Sequence, residues 1–161
     1  MAIDFEETLP APPARIQEVL LERTTWDRYA ELTGALRHEF DTLETEEGVS
    51  TLFQRSMSSD PLIPPLRRLV GPTVDIHEKV RWVAGAGSPS ADVHVEIRKP
   101  RVVFVGRLVV EPVTVDSRLG VQGSDPSVPL VVRPFTAQVR DVIETALRKL
   151  CQAIREAHGG P

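Results

Sequence analysis

Between residues 134 and 157 the apolar positions Phe135, Val139, Val142, Ile143, Ala146, Leu147, Leu150 and Ile154 recur every three or four residues, which gives a helix one oily stripe. A stripe of that length has to be covered. The preceding residues read as a strand, two short helices and then a run of strands, so a curved antiparallel sheet is the natural cover. A long helix laid across such a sheet leaves a hollow unless bulky side chains fill it. The pattern predicts an enclosed space before it predicts any chemistry.

Ile3, Phe5, Glu7 and Leu9 alternate with polar neighbours and make residues 2–9 a half-buried strand. Pro10, Pro12 and Pro13 stop it, and proline suits the first helical position, so Ile16, Val19 and Leu20 begin a short helix that ends near Arg23. Thr24 or Thr25 can cap a second helix carrying Trp26, Tyr29, Ala30 and Leu32, closed by Gly34. From Ala35 the period becomes two: Leu36, His38 and Phe40 share a face, and residues 49–58 align Val49, Phe53, Arg55 and Met57. Residues 60–72 are rich in proline but too apolar for a solvated linker, which predicts an ordered loop or helical turn over an open end of the sheet. Strands follow around Val74 to Trp82 and Val93 to Ile97, joined by a mobile Gly, Ser and Pro loop at 84–91. Residues 102–111 are apolar on both faces, so this strand is expected to be covered on both sides or to face a partner. A turn at 112–116 leads to Leu119 and Val121, and Pro126, Pro129 and Pro134 break the chain before the last helix.

With 161 residues and 41% apolar content the chain has the size of one ordinary domain, expected to span residues 1–161. Net charge is −4, and the basic residues are scattered along the sequence without a stripe to neutralise nucleic-acid phosphates or anionic lipid heads. The single cysteine, Cys151, reads as a buried inert thiol and suits a reducing compartment. The first residues lack a basic segment followed by an apolar one, and no apolar run is long enough to span a bilayer, so the expectation is a cytoplasmic protein without integral membrane association. His38, His77, His94 and His158 show no metal-ligand spacing, Gly85, Gly87 and Gly106 form no phosphate loop, and no nucleophile elbow surrounds Ser56, Ser58 or Ser59. Neither metal nor cofactor is implied.

The order of elements, with Ile3-Asp4-Phe5 leading to Pro10-Ala11-Pro12-Pro13, then residues 16–21 and Trp26, resembles the helix-grip fold of the START-like (SRPBCC) superfamily. That superfamily also contains polyketide cyclases and lipid-transport proteins. Ile63-Pro64-Pro65-Leu66 ahead of a strand ending in Trp82, and Val128-Pro129-Leu130-Val131 before the last helix, are similar to a bacterial branch of unknown function. The resemblance implies an α+β fold: a curved antiparallel sheet of about seven strands, two short helices after the first strand and a long C-terminal helix across the sheet. It also implies a deep, mostly apolar pocket between sheet and helix, whose lining decides function.

Polar side chains in phase with apolar ones should point into that hollow, and Glu7, His38, Arg55 and Glu78 qualify. Each would need a partner, a ligand group or water, because an isolated buried charge is costly. The alternative for each is a bulge or strand end that returns it to solvent, or a purely structural ion pair. Trp26, Tyr29, Phe53, Met57, Trp82 and Phe104, with Val139 and Ile143 of the stripe, are the side chains available to shape the lining. About half of the large ones are expected to be plain core.

Three functions compete. The leading one is a binding protein enclosing an apolar or amphipathic small molecule, with the proline-rich segment and residues 85–90 near the mouth. The second is a cyclase or dehydratase in which His38 and Glu78 meet as an acid/base pair; in the binding reading Arg55 instead forks onto a ligand carboxylate or phosphate. The third is a protein-interaction or homodimerisation module using residues 102–110 or the last helix.

Overall fold

The computed structural model describes residues 2–85 and 87–159. Met1, Gly160, Pro161 and the Ala86 position of the expected 84–91 loop lie outside the described residues. Strand β1 (Ile3–Leu9) is followed by helices α1 (Pro13–Leu20) and α2 (Arg23–Leu32), then β2 (Ala35–Thr45), β3 (Gly48–Ser58) and α3 (Pro64–Val70). Strands β4 (Thr73–Trp82), β5 (Ser90–Arg98), β6 (Arg101–Val113) and β7 (Asp116–Gly123) come next, and a short 3-10 turn (Arg133–Phe135) leads into α4 (Thr136–His158).

All seven strands form one antiparallel sheet in the order β1-β7-β6-β5-β4-β3-β2. Strands β1 and β2 therefore stand at opposite edges, and α1 and α2 carry the chain from one edge to the other. The remaining strands return as a meander, each next to its predecessor in sequence, with α3 inserted between β3 and β4. Gly48 makes the first of these turns possible: its φ is 133°, and a Cβ there would come within 2.5 Å of the Trp82 carbonyl oxygen.

The elements expected from the sequence are present, with local differences. Helix α2 starts at Arg23 after an extended Glu22 with no side-chain cap, and Thr25 is buried, so neither Thr24 nor Thr25 caps it. Pairing of β2 with β3 shifts between Ala35 and Arg37. Leu36 is the extra residue and is 64% exposed, whereas His38 opposite Arg55 and Phe40 opposite Phe53 keep the inward phase. Strand β6 has neighbours on both edges and buries Val102, Phe104, Leu108 and Val110, but its outer face leaves Val105 55% exposed, so it is not covered on both sides. Val142, placed on the stripe by its spacing, lies at the margin of the buried face and is 36% exposed; Val139, Leu150, Cys151, Ala153 and Ile154 carry the contact.

The interior is uneven. Trp26, Phe53, Trp82, Phe104, Leu108 and Leu119 pack with α1, α2 and the C-terminal half of α4 into one continuous core. Gly106 and Gly123 are paired residues on neighbouring strands, and a Cβ on either would come within 2.8 Å of the Phe104 ring. Their missing side chains let that ring lie against the sheet and fill this region. At the other end of the strands Val74, Ile76, Ile97 and Val102 face Val139 and Ile143, and these short or branched side chains do not span the gap.

Candidate functional site

That gap is a cavity of about 370 Å3. Its sheet wall is made by Met57, Val74, Ile76, Ile97 and Val102, its helix wall by Val139, Ile143 and Ala146 of α4, and its end by Leu62, Leu66 and Val70 in and before α3. Helix α3 is held there because Pro64 and Pro65 start it, Gly71 ends it at φ 82°, and Leu66 packs against Val102, Val132 and Val139. The proline-rich segment thus forms one end of the cavity, as the sequence suggests. The expected 84–91 loop does not: the strand ends that flank it, Trp82 and Ser90, are opposite the ends that carry Val74, Ile97 and Val102.

One wall is charged. Arg55 lines the cavity with its side chain only 3% exposed, and Glu78, 10% exposed, accepts hydrogen bonds from its Nε and Nη2, both at 3.3 Å. The Tyr29 hydroxyl donates to Glu78 Oε1 at 2.6 Å, and the guanidinium carbon lies 5.1 Å from the centre of the Tyr29 ring. The remaining amine, Nη1, meets only the Met57 thioether, a weak acceptor, among the described residues. Burial would lower Arg55, but the Glu78 carboxylate and Tyr29 outweigh it and raise the guanidinium further, so it stays charged. Burial raises the Tyr29 phenol well above its ordinary value; Arg55 opposes this and Glu78 reinforces it. Tyr29 therefore remains a proton donor.

The acid/base pair expected of His38 and Glu78 does not form. His38 Nε2 lies 2.8 Å from Asp27 Oδ1 of α2, and its ring packs beside Phe53, while the Glu78 carboxylate is taken by Arg55 and Tyr29. Parity placed both on the inner face but carried no information about the partner supplied by a helix. Glu7, the fourth inward polar residue, pairs with Arg155 at 3.0 Å. Burial, with Glu7 beside it, pushes the neighbouring Cys151 thiol far up against the opposing effect of Arg155, which keeps Cys151 in its protonated form.

Of the side chains assigned to a lining, Arg55, Met57, Val139 and Ile143 face the cavity. Trp26, Phe53, Trp82 and Phe104 do not; they are 1 to 2% exposed and belong to the solid core, with Trp26 Nε1 donating to the Leu20 carbonyl at 2.8 Å. Tyr29 and Glu78 stand behind Arg55 as its support. Sequence reasoning missed Val74, Ile76, Ile97 and Val102 as wall residues. Their in-phase apolar character was visible, but which end of each strand faces a void depends on ring packing between distant segments. Among the described residues no group of three His, Cys, Asp or Glu side chains is placed to hold a metal, and no helix is long and apolar enough to cross a membrane.

The model of a family described as a protein of unknown function (DUF2505) matches residues 4–157. The chain belongs to the DUF2505 family. Solved structures show how this DUF2505 chain is built. It is similar to the protein TTHA0849 from Thermus thermophilus, with a TM-score of 0.67 at 16% identity over 98% of this chain and 96% of that one. It is also similar to a STAR-related lipid transfer protein fragment from Xanthomonas axonopodis (TM-score 0.59, 16% identity, 96% and 85% covered) and to truncated norcoclaurine synthase from Thalictrum flavum (0.59, 15%, 97% and 91%). These likenesses establish a START-like helix-grip fold for the DUF2505 chain. No curated protein sequence matches it.

Proposed function

We propose that the protein binds an amphipathic small molecule in the cavity between α4 and the sheet, with the apolar body of the guest against Val74, Ile76, Ile97, Val102 and Ile143. The observation that carries this reading is the apolar cavity itself, about 370 Å3, meeting at one wall the buried Arg55, which Glu78 supports from behind. Small-molecule sites of about 300–1,000 Å3 are commonly apolar with a few polar groups that fix orientation. The fold shared with a protein named for lipid transfer supports a lipid-like guest.

The charged wall narrows the chemistry. Glu78 already neutralises Arg55, and Lys149 and Asp141, the other charged residues of the lining, carry opposite charges, so a guest carboxylate beside the buried pair would leave a net negative charge there, which is costly. A neutral acceptor, such as a hydroxyl, ester or ketone oxygen, can take an N–H from Nη1 in place of the Met57 sulfur without that cost. The reading therefore favours an uncharged amphiphile over the matching acid.

Displacement of an apolar fluorescent probe by medium-chain alcohols, their methyl esters and the corresponding acids tests this. Alcohols and esters should displace the probe more effectively than acids, and Ile143→Trp, which fills the cavity, should abolish probe binding. Equal probe binding by the filled variant, or better displacement by the acids, would contradict the reading.

A further inference from the structure

We infer that the cavity mouth is a docking surface for a bilayer carrying anionic lipid heads, a conclusion that does not depend on what the cavity holds. The basic residues are dispersed in sequence, yet folding gathers many of them at one end of the molecule. Arg67 and Arg68 are exposed on α3, whose Leu66 and Val70 line the cavity. Arg98, Lys99 and Arg101 are exposed around Pro100 in the β5–β6 turn, and Pro100 itself lines the cavity. Arg133 is exposed beside the lining residue Val132.

The acidic side chains on or next to these segments are Asp60, Asp75, Glu96, Asp125 and Asp141; Ser56 bonds Asp75, Arg101 engages Glu96 at 3.2 Å and Arg140 engages Asp125 at 3.1 Å. This end is therefore positive on a chain whose net charge is −4. Such a dipolar distribution orients the molecule toward an anionic plane.

The same end exposes large apolar side chains. Leu130 is 73%, Val131 59%, Leu69 39% and Ile63 38% exposed. Ile63 and Leu69 flank Leu66, and Leu130 and Val131 precede Val132, while Leu66 and Val132 pack together beneath them. Apolar side chains interleaved with arginine around an opening match the two layers of a membrane interface: acyl chains accept the former and phosphates the latter. A protein partner of matching shape is the competing occupant, but a positive end on an otherwise acidic chain complements a plane of lipid phosphates, whatever its shape.

Co-sedimentation of the full chain with vesicles tests this, comparing equimolar phosphatidylglycerol and phosphatidylcholine with phosphatidylcholine alone. The protein should pellet with the anionic vesicles and be released by salt. Arg67→Glu/Arg68→Glu should weaken binding by about tenfold or more, and Leu130→Asp/Val131→Asp should do the same while circular dichroism stays that of the parent. Should the latter variant fail to fold, the arginine variant decides. No pelleting with anionic vesicles, equal pelleting with neutral ones, or unchanged binding by folded variants would overturn the inference. So would a dimer in sedimentation velocity that Leu130→Asp/Val131→Asp dissolves, since that result would assign the surface to a second copy.

Discussion

Arg55 and Glu78 meet diagonally across the β3–β4 ladder: Arg55 stands opposite Ile76 and Glu78 opposite Phe53, and the guanidinium reaches back to the carboxylate through Nε and Nη2. Diagonal neighbours on one face of a sheet are within reach of a long side chain. The pair is nearly water-free, and Tyr29 from α2 completes it. One helix and two strands are thus tied together at the wall of the cavity.

Removing one member of this pair should cost more than removing both. Arg55→Leu leaves the Glu78 carboxylate buried with only Tyr29 as a partner, and a loss of about 3–5 kcal/mol is expected. The double variant Arg55→Leu/Glu78→Leu removes the unpaired charge and should recover much of that loss. Urea unfolding of the single and double variants measures both; a double variant no more stable than Arg55→Leu would refute the coupling.

Tyr29 is the only tyrosine in the chain, so tyrosinate absorbance reports it alone. With its phenol held well above 10.0 by burial and by Glu78, the native protein should show no tyrosinate step near the ordinary value. Glu78→Gln removes a contribution that raises the phenol and leaves Arg55, which lowers it, so the step should move to lower pH. The linked stability has a definite sign. The folded-state value is raised, so Tyr29's contribution is fully present below the unfolded value of about 10 and is lost as pH climbs from there through the folded value.

The order of elements is legible because the signals are local: period-two runs, proline stops and one long helical stripe. Parity also locates Arg55 and Glu78 on the inner face, since β3 and β4 pair without a bulge from Ser50 to Ser58. It fails at Leu36, where the bulge inserts a residue. It is silent on whether Glu78 meets His38 or Arg55, because that depends on strand register and on where α2 places Asp27 and Tyr29. The division of the interior into a solid and a hollow half is nonlocal too. It rests on Phe104 lying over Gly106 and Gly123, two positions on different strands.

The stripe of α4 supplies a further check. The spacing alone makes Val142→Asp an unfolding substitution, but Val142 is 36% exposed at the cavity wall, whereas Leu150 is 7% exposed in the core. Val142→Asp should therefore cost little stability and Leu150→Asp should cost several kcal/mol or prevent folding, about the range for an unpaired buried charge. Thermal unfolding of the two variants distinguishes these outcomes; equal destabilisation would mean that the helix face is wrongly assigned.

In the proposed function the space beside Arg55 encloses a guest. Native mass spectrometry of protein purified from its own host, followed by solvent extraction of any retained molecule, tests it most directly. The expected result is a species heavier than the bare chain that yields an uncharged amphiphile on extraction and is absent from Ile143→Trp. Retention of the same molecule by that filled variant, or recovery of only the bare chain from its host, would contradict it.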